Sequence, residues 1–125
     1  MGLKVQTAMV IDDDEDLTFI LASILEARKI HTVELHSLSE AEECLNHLKP
    51  TIIFLDNSFP EGLGVNFIRI IKSIDSGIKI VMITADTDKW VEEKATAEKI
   101  NYFVKKPFST KTINGVLDKL NMRKA

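Results

Sequence analysis

The sequence has one cysteine, three prolines and five glycines in 125 residues, and no apolar run approaches the ~20 residues that cross a bilayer as a helix. Cys44 alone cannot close an internal disulfide, and no basic start leads into an apolar core as in a signal peptide, so the cytoplasm is the expected compartment. Cys44 falls within a helical pattern and reads as a small buried hydrophobe. A dense basic stripe is also missing. The formal net charge is −3 with lysines and arginines scattered, which leaves no footprint for a phosphate backbone, and direct nucleic-acid binding by this chain is not expected. The shortage of proline and glycine, beside 45% hydrophobic and 28% charged residues, argues against a disordered or fibrous chain. The length suits one compact domain over residues 1–125 that buries roughly two-thirds of its unfolded surface. No linker, repeat or low-complexity stretch divides it.

Five short apolar, β-branched runs are present: TAMVI, TVEL, TIIFL, IKIVMIT and YFV. Most are too continuous for half-exposed strands and read as strands buried on both faces. Between them lie helical spacings. Leu17, Ile20, Leu21, Ile24 and Leu25 form an i, i+3, i+4, i+7, i+8 stripe, and Ile113, Val116, Leu117 and Leu120 form another. Ser39 with Glu42 fits a capping box for a second helix, Phe67, Ile68 and Ile71 mark a third, and Ser109 caps the last. A fourth, from about Asp88 to Lys99, has a thin stripe of Val91, Ala95 and Trp90. Strict βα alternation implies a doubly wound parallel sheet with helices on both faces and the first strand central.

Ligands of such sheets bind beyond the carboxyl ends of the strands. Those ends are polar here: Asp12, Asp13 and Asp14 after the first strand, Asp56 after the third, Thr84 on the fourth, and Lys105 and Lys106 before Pro107 on the fifth. Clustered carboxylates repel one another, and a hard divalent cation relieves the repulsion. Mg²⁺ suits a few carboxylates with an open face, where an ionised Asp56 can attack phosphorus while an ammonium and a threonine hydroxyl meet the phosphoryl oxygens. Each residue alone has a plainer reading: Asp14 and Asp16 as helix caps, Asp56 as a turn residue, Thr84 as a backbone partner and the lysines as solvated. Their coincidence on one rim favours chemistry.

With MVIDDD, IIFLDNSFPEGLG, VMITA and YFVKKPF in this order, the whole chain resembles the receiver domains of two-component response regulators. The resemblance implies a flavodoxin-like five-stranded sheet of order 2-1-3-4-5 with five helices. It implies Mg²⁺ held by Asp13 directly, by Asp12 through water, and by Asp56 and the Ser58 backbone carbonyl, with Asp56 as the phosphoryl acceptor. It further implies Lys106 instead of Lys105 at the site, a cis bond before Pro107, Thr84 and Phe103 as a switch pair, and Ser58 and Asp86 as residues that tune hydrolysis. A receiver of this kind takes its phosphoryl group from a sensor histidine kinase or a histidine phosphotransfer protein. It catalyses only its own phosphorylation and dephosphorylation, and signals to a downstream protein through the fourth helix, fifth strand and fifth helix. Three other readings fit less of the sequence. A haloacid-dehalogenase-type Mg²⁺ phosphatase using Asp12 needs an acidic pair beyond Lys106, where Asp118 is the only acid. A calcium loop at Asp12, Asp14 and Asp16 lacks its glycine and its closing glutamate. A receiver-like interaction module that never uses phosphate leaves the filled chemical positions idle.

Overall fold

The structure, a computed structural model, describes residues 5–86 and 88–123. Five parallel strands form one sheet: β1 (Thr7–Ile11), β2 (His31–Leu35), β3 (Ile52–Leu55), β4 (Lys79–Thr84) and β5 (Tyr102–Lys105), in the order β2-β1-β3-β4-β5. Helices α1 (Glu15–Glu26), α2 (Leu38–Leu45), α3 (Gly64–Ile74), α4 (Lys89–Ala97) and α5 (Thr110–Lys119) alternate with them. This is the expected doubly wound, flavodoxin-like topology. β1 is interior, and the middle place goes to β3.

β1 and β3 are buried along their whole length and β4 nearly so, whereas the edge strands β2 and β5 are mixed. That is why the interior strands read as continuous apolar runs: helices cover both faces, and alternate side chains feed two cores. Met9, Ile11, Ile53, Leu55, Ile80 and Met82 pack towards α2, α3 and α4, with Phe67, Ile68, Ile71 and Val91 opposite them. Ala8, Val10, Ile52, Phe54, Val81 and Ile83 pack towards α1 and α5 against Leu21, Leu25, Ile113 and Leu117.

Two helices differ in detail from their sequence patterns. In α1 the buried face is Thr18, Leu21, Ala22, Ile24 and Leu25, while Ile20 is 54% exposed and Phe19 66%. Thr18 can be buried because its hydroxyl lies 3.0 Å from the Glu15 carbonyl and 2.9 Å from the Glu34 carboxylate. The cap of α2 is Ser37 instead of Ser39: its hydroxyl accepts from Glu40 N–H, and Glu40 accepts from His36 N–H. The Glu61 carboxylate accepts from the backbone N–H groups of Leu38 and Ser39, so the first-turn donors of α2 are all matched. Ser109 caps α5 as expected. In α4, Val91 and Ala95 are buried but Trp90 is exposed. Cys44 on α2 is only half-buried, and burial pushes its thiol up. After β3 the chain makes a small antiparallel ribbon, Ser58–Phe59 against Gly62–Leu63, before α3 begins. No helix among the described residues is long and apolar enough to cross a membrane.

Candidate functional site

Three rim residues are each held by one backbone hydrogen bond beyond the end of their strand. Asp12 N–H donates to the Leu35 carbonyl at 3.0 Å, Asp56 N–H to Ile11 at 3.0 Å, and Lys106 N–H to Thr84 at 3.0 Å. The parallel ladder thus continues far enough to fix the backbones of Asp12, Asp56 and Lys106 at one end of the sheet. There Asp12, Asp13 and Asp56 each present a carboxylate oxygen, all within 4.8 Å of one another. Asp13 is exposed, whereas Asp12 is 2% and Asp56 6% exposed.

Lys106 Nζ donates to Asp12 Oδ2 at 2.8 Å and lies 3.6 Å from Asp56 Oδ1, a charge contact too long for a hydrogen bond. Lys105 is exposed, and the bond from Lys106 to Pro107 is cis. Asp12 Oδ1 accepts from Asp14 N–H at 2.9 Å, and Asp14 caps α1 through Leu17 N–H. Thr84 is buried, and its hydroxyl accepts from Asp86 N–H at 3.1 Å. Phe103 pairs in register with Met82 and packs on the α2–α3–α4 side of the sheet. Alternation along β4 turns Thr84 to that same side. Tyr102 faces the other core, and its hydroxyl accepts from Lys119 at 2.7 Å. Ser58 is exposed on the ribbon, and Asp86 is half-buried just beyond β4. Asp118, the sole acid after Lys106, pairs with Arg28 at 2.9 Å.

Burial, reinforced by the Asp12 charge, pushes the Asp56 carboxyl above the ordinary carboxylate range, against the pull of Lys106, the Asn57 backbone N–H and the Thr84 hydroxyl. Partial burial draws Lys106 down, but the hydrogen bond to Asp12 and the charges of Asp56 and Asp12 outweigh it and raise its pKa. A carboxyl that binds its proton more tightly when folded favours the fold fully below its ordinary value of 3.8, and loses that advantage as the pH climbs through the raised value. Asp56→Asn stays neutral throughout. It is expected to gain about 1 kcal/mol at pH 7, seen as about 4 °C in thermal melts, with the gain vanishing in acid.

Two residues here were not marked by the sequence reading. Asn57 is fully buried and supplies both its carbonyl and its side chain to the first turn of α3, which has no side-chain cap of its own from Leu63. Gly64 packs directly on the Asp56 backbone: a Cβ there would lie 1.9 Å from the Asp56 carbonyl oxygen. Neither residue is charged, and their roles depend on contacts that no local pattern announces.

The family model for the response regulator receiver domain matches residues 8–118. The chain belongs to that family. This receiver is 31% identical over 108 residues to the DNA-binding response regulator MtrA of Mycolicibacterium smegmatis, covering 86% of this chain and 47% of that protein. The beryllofluoride-activated NtrC4 receiver domain dimer is 32% identical with a TM-score of 0.81, covering 90% of this chain and 97% of that one. A Burkholderia pseudomallei response regulator with a phosphorylated aspartic acid and a calcium ion has the same fold, with a TM-score of 0.83 at 21% identity over 93% of this chain and 71% of that one. The receiver spans about half the length of the curated relatives it matches.

The donor set fits a hard divalent ion. All three side chains offer carboxylate oxygen, the ligand type such an ion prefers, and these atoms lie within 4.8 Å of one another.

Proposed function

We propose that this receiver takes a phosphoryl group onto Asp56 from a phosphohistidine of a sensor histidine kinase or histidine phosphotransfer protein, in the cytoplasm, and later releases it to water. The observation that carries this reading is the meeting of Asp12, Asp13 and Asp56 within 4.8 Å, with Lys106 Nζ reaching both Asp12 and Asp56. An Asp56 carboxylate oxygen attacks phosphorus, the phosphorus–nitrogen bond breaks, and its electron pair returns to the imidazole, which takes up a proton. Lys106 lies where it can offset charge on a phosphoryl oxygen, and Thr84 can donate its hydroxyl to another. Asp12, Asp13, Asp56 and the Ser58 carbonyl would hold Mg²⁺, which when bound supplies positive charge to the phosphoryl oxygens. In the reverse half of the cycle, water attacks phosphorus and the bond to Asp56 breaks, leaving inorganic phosphate and the carboxylate. Ser58 and Asp86 flank that approach and set its rate.

Residues 1–125 act as one receiver unit. Phosphorylation draws the Thr84 hydroxyl towards Asp56, Phe103 takes up the space on the same side of the sheet, and the surface of α4, β5 and α5 changes its affinity for a downstream protein. The phosphatase reading has less support: with Asp118 engaged by Arg28, it lacks its second acidic pair.

Beryllofluoride loading with saturating Mg²⁺, followed by amide resonances, tests the proposal. Expected are shifts at Thr84, at Phe103 and along α4 and α5, all dependent on the metal and all absent in Asp13→Ala. A spectrum left unchanged on that surface by complete loading would refute the switching mechanism.

A further inference from the structure

Asn57 directly follows the acceptor, and its side chain has no exposed surface. A buried primary amide is costly unless both of its ends are matched, and here each end meets a different element. Its Oδ1 accepts from Val65 N–H in the first turn of α3 at 3.0 Å, and its Nδ2 donates to Asp86 Oδ2 at 3.1 Å. The orientation of the amide is forced, because a backbone N–H can only donate and a carboxylate can only accept. Asp86 is committed as well: its Oδ1 accepts from Asp88 N–H at 2.9 Å, and its own N–H donates to Thr84 Oγ1 at 3.1 Å. Three consecutive hydrogen bonds therefore join the Thr84 hydroxyl, through Asp86 and Asn57, to the start of α3.

We infer that Asn57 is a positioning residue that sets how readily Thr84 and the segment after β4 leave the conformation seen here. This rests on the reading of Thr84 as the group that answers the acyl phosphate. The Thr84 oxygen accepts from Asp86 N–H while its proton is free to be donated, so it is a displacement of that oxygen towards a phosphoryl group that takes the acceptor from Asp86 N–H unless the segment follows. Asn57 opposes the movement by gripping the Asp86 carboxylate. Asn57 is itself anchored, because Gly64 N–H donates to its carbonyl at 2.7 Å and Gly64 packs against the Asp56 backbone. A charge-assisted contact made fully in one state and strained in the other biases the equilibrium by the difference. Asn57 thus holds the unphosphorylated state and raises the cost of switching.

Three variants separate this inference from a purely structural role. Asn57→Asp keeps an acceptor for Val65 N–H but sets a carboxylate against Asp86. Asp86→Ala removes the other half of the contact at a half-buried position and leaves Asn57 Nδ2 without that acceptor. Asn57→Asp combined with Asp86→Asn exchanges donor and acceptor and restores the original net charge. The readouts are the beryllofluoride concentration for half-loading at saturating Mg²⁺ and the amide positions of Ala85, Asp86 and Asp88 before loading. Both single variants are expected to load at about tenfold lower concentration, with those amides displaced towards their loaded positions, and the exchange variant to return to wild type. The single variants change local charge in opposite senses, so a shift they share comes from the broken contact. Half-loading equal to wild type in Asp86→Ala, opposite shifts in the two singles, or an exchange variant that fails to revert would overturn the inference. If wild type itself takes up no beryllofluoride, the phosphoacceptor reading is what has failed.

Discussion

Lys106→Met should unfold about 12 °C earlier than wild type at pH 7, a loss of about 3 kcal/mol, because truncating one partner of a buried ion pair leaves the other charge uncompensated. Lys106 reaches Asp12 at 2.8 Å and Asp56 at 3.6 Å, and both carboxylates are nearly inaccessible to water. Methionine keeps most of the apolar stem, so the deficit reports charge. In wild type the raised lysine pKa means that its contribution is full at neutral pH, begins to fade above the ordinary value of 10.5 and is lost as the pH climbs through the raised value. In the variant the deficit is present at neutral pH and shrinks in acid, as the raised Asp56 carboxyl takes up a proton and the mutual repulsion relaxes. Added Mg²⁺ should recover part of the loss, since a divalent ion at the same carboxylates offsets the same repulsion. Chemical denaturation across pH, with and without Mg²⁺, measures all three effects. A deficit independent of both would mean that Lys106 matters only for packing.

Gly64→Ala should also cost about 3 kcal/mol, by a different route: overpacking against atoms that have nowhere to go. The added carbon would lie 1.9 Å from the Asp56 carbonyl oxygen and 3.0 Å from its carbonyl carbon, and both belong to the backbone. Relief requires α3 to back away from β3, which breaks the Gly64 and Val65 hydrogen bonds to Asn57. The acceptor is displaced with them, so the surviving folded fraction should load beryllofluoride more weakly than wild type. Calorimetry and loading on the same samples test both effects, and a variant with unchanged stability would show that the helix start yields without cost.

The five strands were legible because helices cover both faces of the interior strands, which turns strand sequence into unbroken apolar runs such as Ile52–Leu55. The rim was legible for a related reason. Asp12 and Asp56 are the first polar residues after their runs, Lys105 and Lys106 follow the last one, and a parallel sheet brings such ends to one side. What escaped was decided by contacts between distant residues. Ser37 and Ser39 are each followed three residues later by a glutamate, so the sequence offers two overlapping capping boxes. The cap forms at Ser37, with Glu40 reaching back to His36 N–H, where Glu61, more than twenty positions away, meets the N–H groups of Leu38 and Ser39. Similarly, the stripe of α1 is apolar enough to predict a helix, yet the buried face includes Thr18, matched by Glu34 on β2, and leaves Ile20 outside. The ribbon after β3 is too short to have a period, and Asn57 carries no charge to draw attention. Its importance comes from joining α3 to Asp86, a relation that only the folded chain contains.

Intact mass after treatment with acetyl phosphate and Mg²⁺ tests the central proposition most directly. Wild type should gain the mass of a single phosphoryl group, lose it again on standing, and gain nothing when the metal is chelated; Asp56→Ala should gain nothing under any condition. An equal gain in Asp56→Ala, or none in wild type with Mg²⁺ present, would contradict the assignment of Asp56 as the acceptor in a metal-assisted site.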